Sequence, residues 1–174
     1  EQHRGWIMVE STLGVGTTFR AHIPLAPPQE ARESKPAPGA EKLPKGAETI
    51  FVVEDEEQLR TLVRLILSRL GYQIIEAGSG PEALDIWGRR RDEVNLLITD
   101  LVMPGGMSGF DLAAILLRDR PDLKVLYSSG YSPDLAGREV KLQDGVNFLA
   151  KPYQAAELAR MVRGLLESPA RPKT

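Results

Sequence analysis

The sequence contains no cysteine and only two histidines among its 174 residues. Without cysteine the chain can form neither disulfides nor thiolate metal sites, which fits a reducing cytoplasm. Two histidines, His3 and His22, are too few for a histidine-based zinc site. The sequence also lacks an apolar run long enough to span a bilayer and shows no secretory signal pattern. We therefore expect a cytoplasmic polypeptide without membrane contact of its own, whether or not a longer parent protein is anchored in a membrane.

An excess of charge of one sign is also missing. Lys and Arg together number 22 against 24 Asp and Glu, which gives a net charge of −2 and no basic stripe. The one cationic run, residues 89–91, lies at the end of a helical pattern, where positive charge complements the helix dipole. We therefore expect no direct contact with nucleic acid. Because the first residue is Glu1 rather than Met, we also expect the chain to be part of a longer protein.

Proline is concentrated in one segment, since six of the 13 prolines lie in residues 24–48, mixed with Ala, Glu, Lys and Gly. Such a segment cannot bury enough apolar surface to fold, and its composition predicts a linker. In residues 1–23, alternating apolar residues flank a glycine-bearing loop, which is the pattern of a β-hairpin. A lone hairpin is marginally stable in water, so we interpret residues 1–23 as the remnant of a larger domain.

Strands alternate with helical patterns over residues 49–168, and a short tail, 169–174, follows. Apolar runs predict strands at 50–53, 73–77, 96–99, 125–128 and 146–149. Apolar residues at helical spacing predict a helix after each strand, although the pattern in 132–145 is weak and predicts only a short or irregular helix. Repeated β–α units with short connections predict an α/β fold in which helices cover both faces of a five-stranded parallel sheet.

Polar residues follow four of these strands directly. Glu54 and Asp55 follow the first strand, Asp100 the third, Ser129 the fourth and Lys151 the fifth. In an open parallel sheet, ligands bind beyond the carboxyl ends of the strands, so these side chains should share one site. Clustered carboxylates repel one another, and a hard cation such as Mg²⁺ relieves that repulsion. With Mg²⁺ and the lysine the formal charges cancel, which prepares the site for a phosphoryl group and an Asp nucleophile.

Each of these residues alone has a simpler interpretation. Asp55 could be a helix N-cap, Asp100 and Ser129 could be turn residues, and Lys151 could be a solvated surface charge. The occurrence of all of them at successive strand ends, in this order, favours a shared chemical site.

Four motifs resemble the receiver domain of two-component response regulators, and the resemblance covers residues 49–167. The motifs are Val-Glu-Asp at 53–55, Ile-Thr-Asp-Leu-Val-Met-Pro at 98–104, Ser-Ser-Gly-Tyr at 128–131 and Phe-Leu-Ala-Lys-Pro at 148–152. The resemblance implies a flavodoxin-like, doubly wound sheet with strand order 2-1-3-4-5. It also implies a phosphohistidine donor, either the protein's own kinase core or a histidine phosphotransfer protein.

The same resemblance assigns roles to individual residues. It implies that Asp100 is the phosphoacceptor, that Lys151 pairs with the phosphoryl oxygens and that the Ser129 hydroxyl binds one of them after transfer. Its implied Mg²⁺ ligands are Asp55, Asp100, Glu54 through a water molecule, and the backbone carbonyl of Val102. Its implied switch residues are Ser129 and Phe148, and the implied rim consists of Gly130, Tyr131 and Pro152, with a cis peptide bond before the proline.

The N-terminal piece resembles the end of the ATP-binding domain of histidine kinases. Gly14, Gly16 and Thr17 fall on the last glycine box of that domain, as vestigial nucleotide-binding residues. The order of the two resemblances implies the C-terminal part of a hybrid sensor histidine kinase, although this fragment is too truncated to be a competent kinase.

Two alternatives remain from the sequence: a stand-alone regulator that dimerises on phosphorylation, and a phosphatase-like enzyme on a similar fold. Such an enzyme would need an acid two residues after the nucleophile, where this chain has Val102.

Overall fold

The computed structural model describes residues 5–22, 43–130 and 145–168. The chain divides into two units, Glu1–Glu41 and Lys42–Thr174. Several predicted features fall outside the described residues: Tyr131, nearly all of the weak helix at 132–145, most of the linker and the tail 169–174. Across the three described ranges, no helix is long and apolar enough to cross a membrane.

The first unit contains the predicted β-hairpin. Strands β1 (Trp6–Thr12) and β2 (Gly16–His22) pair antiparallel, with Trp6 opposite His22 and Thr12 opposite Gly16. The turn between them includes Gly14 at a φ of 79°, a left-handed conformation that favours glycine. Every residue of both strands is exposed, so among residues 5–22 the alternating apolar side chains found in the sequence pack into no core.

The second unit contains a five-stranded parallel sheet. Its strands are β3 (Thr49–Val53), β4 (Gln73–Ala77), β5 (Leu96–Asp100), β6 (Lys124–Ser129) and β7 (Phe148–Ala150). They lie in the order β4-β3-β5-β6-β7, which is the predicted order 2-1-3-4-5 when counted within this unit. The described helices are α1 (Glu57–Arg69), α2 (Gly80–Arg90), α3 (Gly109–Asp119) and α4 (Ala155–Glu167), with a 3₁₀ turn at Arg91–Glu93.

Helices cover both faces of this sheet, which confirms the doubly wound, flavodoxin-like prediction. Alternate residues of β3 point to opposite faces, so Phe51 and Val53 pack with α2 and α3, whereas Ile50 and Val52 pack with α1 and α4. Because the central strands β3 and β5 are buried on both faces, they are nearly continuous apolar runs rather than alternating ones.

One predicted strand boundary is wrong, and the simpler interpretation of Asp55 as a helix N-cap is excluded. Strand β7 begins at Phe148 rather than Val146, because residues 145–147 form a turn in which Val146 is 55% exposed. The N-cap of α1 is Glu56, so Asp55 lies one residue before the helix cap and its carboxylate is left for other partners.

The last residues of the predicted linker, 43–48, lie against the second unit. The amide of Gly46 donates to the carbonyl oxygen of Leu70 at 3.1 Å, and Leu43 packs on the apolar cluster between the sheet, α1 and α4. Glu48 forms an ion pair with Arg163 of α4 at 2.9 Å. This unit therefore includes a short segment before its first strand.

Candidate functional site

The candidate site lies at the carboxyl edge of the five-stranded sheet. Glu54 and Asp55 follow β3, Asp100 is the last residue of β5, Ser129 is the last residue of β6, and Lys151 follows β7. Parallel pairing brings these strand ends together, with Asp100 opposite Ser128 and Ser129 opposite Ala150. The sheet therefore gathers the side chains that the sequence places after separate strands.

Lys151 joins two of the three acids. Its Nζ atom donates to Oε2 of Glu54 at 2.7 Å and to Oδ2 of Asp100 at 2.8 Å. Both acids are well shielded from solvent, with side chains 5% and 12% exposed, whereas Asp55 is exposed. The site is therefore a pocket that opens to solvent on the side of Asp55.

The charges in this pocket alter one another's protonation. Burial raises the pKa of Glu54, and the neighbouring carboxylates of Asp100 and Asp55 raise it further, against the opposing effect of Lys151. Burial lowers the pKa of Lys151, but its hydrogen bonds to Asp100 and Glu54 outweigh burial and leave that pKa above its usual value. The ammonium group therefore stays charged between the two acids over the physiological range.

The main chain around Asp100 is tightly fixed. Its Oδ1 atom accepts a hydrogen bond from the amide of Val102 at 3.2 Å, and its carbonyl oxygen accepts one from the Thr99 hydroxyl at 3.0 Å. The first residue of α3, Gly109, packs directly against the same carbonyl, and a Cβ atom there would lie 2.0 Å from that oxygen. Only glycine permits this approach, so the start of α3 helps to fix the backbone that carries Asp100.

The residues expected at the switch and the rim lie around this cluster. Ser129 and Phe148 are both buried, Phe148 completely. Val102 is 59% exposed, and Gly130 and Pro152 are also exposed. The Lys151–Pro152 peptide bond is cis, as the resemblance implied.

The residues interpreted as vestigial nucleotide contacts lie in the other unit. Gly14 is in the hairpin turn, Gly16 opens β2 at a φ of 141°, and the Thr17 hydroxyl hydrogen-bonds that of Ser11 at 2.8 Å.

The acidic cluster fits a divalent metal ion. One carboxylate oxygen from each of Glu54, Asp55 and Asp100 lies within 4.8 Å of the other two. Three hard oxygen donors at this spacing are the ligand type that Mg²⁺ takes, with water or phosphate oxygens filling its remaining positions. The single ammonium group of Lys151 leaves the three acids with an excess of negative charge that such an ion would balance.

Sequence reasoning missed two residues next to this cluster. The Arg60 guanidinium on α1 contacts the main chain of Glu54, and the Tyr153 ring lies close enough for its phenol to interact electrostatically with Lys151. Burial raises the pKa of Tyr153 to about 12. A signal for Arg60 was present: a basic residue near the N-terminus of a helix opposes the helix dipole and is stabilised by another partner.

Comparisons with known proteins agree with this geometry. The family model for the response regulator receiver domain matches residues 50–163. The sensor kinase CckA of Brucella abortus is 35% identical over 174 residues, which cover 96% of this chain and 18% of that protein. The crystal structure of the receiver domain from the hybrid histidine kinase CckA is 33% identical, with a TM-score of 0.57, covering 68% of this chain and 99% of that one.

A further solved structure was determined with ligands. The response regulator TrrA from Thermotoga maritima, in complex with Mg²⁺-BeF, is 27% identical with a TM-score of 0.56, covering 68% of this chain and 98% of that one. The chain spans less than a fifth of the length of the sensor kinase CckA and about half that of two transcriptional regulators that it also matches.

Proposed function

The chain belongs to the response regulator receiver domain family, and on that premise we propose that its second unit accepts a phosphoryl group on Asp100 from a phosphohistidine. The observation that carries the proposal is the position of Lys151, whose ammonium group holds Asp100 and Glu54 together beside Asp55. An ammonium group between two acids is costly to build as a purely structural feature, because burying charges costs more than apolar packing of the same volume.

In the proposed reaction, a carboxylate oxygen of Asp100 attacks the phosphorus atom. The bond between phosphorus and the imidazole nitrogen of the donor breaks, an acyl phosphate forms on Asp100, and the leaving imidazole takes up a proton. Lys151 already lies 2.8 Å from Oδ2 of Asp100 and is placed to neutralise the phosphoryl oxygens. Positioning and charge neutralisation of this kind supply most of the catalysis in phosphoryl transfer.

We propose that Asp55, Asp100 and the backbone carbonyl of Val102 hold Mg²⁺ when it is bound, with Glu54 acting through a water molecule. The ion supplies positive charge next to the transferred phosphoryl group. We propose that the hydroxyl of Ser129, at the end of β6, binds a phosphoryl oxygen after transfer. Phe148, which is buried, is the proposed switch residue that changes position when this hydroxyl moves. The relative TrrA was solved in complex with Mg²⁺-BeF, which supports the proposal of a Mg²⁺ site in this chain.

The test of this proposal uses a small phosphodonor. The purified chain is incubated with acetyl phosphate and Mg²⁺, and its intact mass is measured beside that of Asp100→Asn. We expect one added phosphoryl group on the wild type and none on the variant. Asp111→Asn is the matched control, because Asp111 lies in the α3 capping box and outside the acidic cluster. Equal labelling of wild type and Asp100→Asn would contradict the assignment.

We also propose that the chain is part of a hybrid sensor histidine kinase, in which residues 1–23 end an ATP-binding domain, 24–48 form a linker and 49–168 form the receiver. Supporting this, the likeness to the sensor kinase CckA extends over 96% of the chain and so reaches well beyond the receiver, which alone spans residues 50–163. The test is the gene sequence upstream of residue 1. A nucleotide-binding domain and a helix with a phosphoacceptor histidine are expected there, and an unrelated upstream sequence would contradict the proposal.

A further inference from the structure

Arg60 of α1 reaches back to the strand end that carries two of the three acids. Its Nη1 atom donates a hydrogen bond to the carbonyl oxygen of Glu54 at 2.5 Å and lies 3.5 Å from the carbonyl oxygen of Asp55. Its Nε atom lies 3.9 Å from Oε1 of Glu76 on β4, and its side chain is only 20% exposed. The guanidinium group therefore links β3, α1 and β4 immediately behind the acidic cluster.

Glu54 is consequently held at three points by three different elements. Its amide donates to the carbonyl oxygen of Ala77 in β4 at 3.1 Å, and its carboxylate accepts from Lys151 after β7 at 2.7 Å. Arg60 supplies the third restraint, on the carbonyl oxygen, and it also reaches the following peptide. Asp55 is not held in place as a helix cap, because Glu56 is the N-cap of α1. Arg60 therefore contacts the main-chain carbonyl oxygens of both Glu54 and Asp55.

We propose that Arg60 is a positioning residue for the metal site, holding the Glu54–Asp55 main chain so that both carboxylates lie next to Asp100. This inference rests on the proposed function, because it assigns Arg60 to the Mg²⁺ site described there. Partners that orient metal ligands without touching the metal typically change metal affinity by about 10–100-fold when they are removed.

Positioning and simple electrostatics predict opposite effects of removing this arginine. Deleting a positive charge beside three carboxylates makes the local potential more negative, which by itself would tighten the binding of a divalent cation. Releasing the main chain of Glu54 and Asp55 would instead separate the ligands and weaken binding. The sign of the change in Mg²⁺ affinity therefore distinguishes the two roles.

Arg64, one helical turn further along α1, provides a matched control. Its Nε atom pairs with Oε2 of the same Glu76 at 3.1 Å, so it shares an acidic partner with Arg60. Arg64→Met removes the same formal charge from the same helix while the contacts to the carbonyl oxygens of Glu54 and Asp55 remain. Arg60→Lys keeps the charge but replaces the planar fork of donors with a single ammonium group.

The experiment measures the Mg²⁺ dissociation constant by isothermal titration calorimetry on the full 174-residue chain and on each variant, with the melting temperature in chelator recorded in parallel. We expect Arg60→Met to raise the dissociation constant at least about tenfold, Arg60→Lys to raise it by a smaller factor, and Arg64→Met to change it less than about twofold. A purely structural role would lower the melting temperature of Arg60→Met and leave the dissociation constant unchanged.

An unchanged or lower dissociation constant for Arg60→Met would overturn the proposal, and so would equal weakening by Arg64→Met. If Arg60→Met does not fold, Arg60→Lys decides the question: a raised dissociation constant at unchanged charge supports positioning by the guanidinium group, and wild-type affinity overturns it. A wild-type chain that binds no Mg²⁺ would overturn this proposal and the proposed metal site together. Wild-type binding with an unaffected Arg60→Met would overturn the role of Arg60 alone.

Discussion

Replacing Lys151 with methionine should separate structural from chemical effects at the acidic cluster. Methionine keeps an unbranched apolar stem and removes the ammonium group, which lies 2.7 Å from Glu54 and 2.8 Å from Asp100. A hydrogen bond to a charged group contributes about 1.5–3 kcal/mol, and the two bonds share one donor, so we expect the free energy of unfolding in chelator to fall by about 2–3 kcal/mol. For a domain of this size the melting temperature should fall by roughly 6–12 °C.

Added Mg²⁺ should recover part of that loss. The ammonium group repels a dication by on the order of 1–2 kcal/mol even at the dielectric constant of water, so its removal should tighten Mg²⁺ binding about tenfold. At a concentration of about 100 times the wild-type dissociation constant, binding stabilises the wild type by about 2.7 kcal/mol and the variant by about 4.1 kcal/mol. The deficit of Lys151→Met should therefore shrink by about 1.4 kcal/mol in Mg²⁺.

The stability that Lys151→Met loses relative to the wild type should depend on pH because of Glu54. Burial raises the pKa of Glu54 and Lys151 opposes that rise, so removing the lysine should raise the pKa further. A carboxyl group whose folded pKa lies above its unfolded value destabilises the protein at high pH, and the destabilisation is relieved as the pH falls through the folded pKa. The deficit of Lys151→Met should therefore be full at neutral pH and smaller in mildly acidic solution.

The assay combines thermal unfolding, with chelator and with Mg²⁺, and labelling by acetyl phosphate. Despite its tighter Mg²⁺ binding, Lys151→Met should be labelled about a hundredfold more slowly, because a charge aimed at the phosphoryl oxygens is lost. Glu54→Gln is the control in which Mg²⁺ affinity should change in the opposite direction, because this variant loses a proposed ligand and should bind Mg²⁺ more weakly. An equal Mg²⁺-dependent shift in the wild type and in Lys151→Met, or wild-type labelling of the variant, would refute this account of the cluster.

Three further predictions concern other parts of the molecule. Burial raises the pKa of Tyr153 to about 12, so the folded state keeps the phenol proton at pH values where the unfolded chain has lost it. The free energy of unfolding should therefore fall as the pH rises from about 10 to about 12. In Tyr153→Phe, denaturant titrations across that range should show a weaker dependence on pH, and an unchanged dependence would exclude Tyr153 as its source. The resemblance to receiver domains implies that the positions of Val102 and Tyr131 flank the path of an attacking water, and neither an apolar nor a bulky aromatic side chain would activate that water, so we expect a long-lived acyl phosphate. Faster decay in Val102→Asn and Tyr131→Glu would support this, and unchanged decay in both would count against it. The chain alone should neither bind ATP usefully nor become phosphorylated on either of its histidines, and transfer of label from ATP to phosphohistidine would contradict this.

The fold was predictable because its pattern is local and redundant. Strands buried on both faces need continuous apolar runs, and the helices between them need apolar residues at helical spacing, so each β–α unit repeats the same evidence. Element ends were less predictable where an apolar residue sits in a turn. Val146 belongs by composition to β7, yet it lies exposed in a turn before Phe148, because hydrophobic pattern alone does not reveal where pairing with β6 begins.

The acidic cluster was predictable because parallel topology converts positions in the sequence into neighbours in space. Once the strands were placed, the residues that follow them had to meet at one edge of the sheet, and the observed contacts of Lys151 with Glu54 and Asp100 join residues 97 and 51 positions apart. The packing of residues 43–48 against the second unit was not predictable in this way. It depends on an amide of Gly46 and an ion pair of Glu48, and neither leaves a periodic signal in the sequence.

Arg60 shows why side chains that act through the main chain escape sequence reasoning. Motifs report residues whose side chains do chemistry, whereas the partner of Arg60 is a carbonyl oxygen, which every residue has. The only local indication is energetic: positive charge near a helix N-terminus is unfavourable by roughly 0.3–1 kcal/mol unless something nearby compensates. Here the compensation comes from carbonyl oxygens that the turn between β3 and α1 leaves outside the sheet, together with Glu76 of the neighbouring strand. A basic residue near the N-terminus of the helix that follows a strand-end acid is therefore an indication that the strand end itself is held in place.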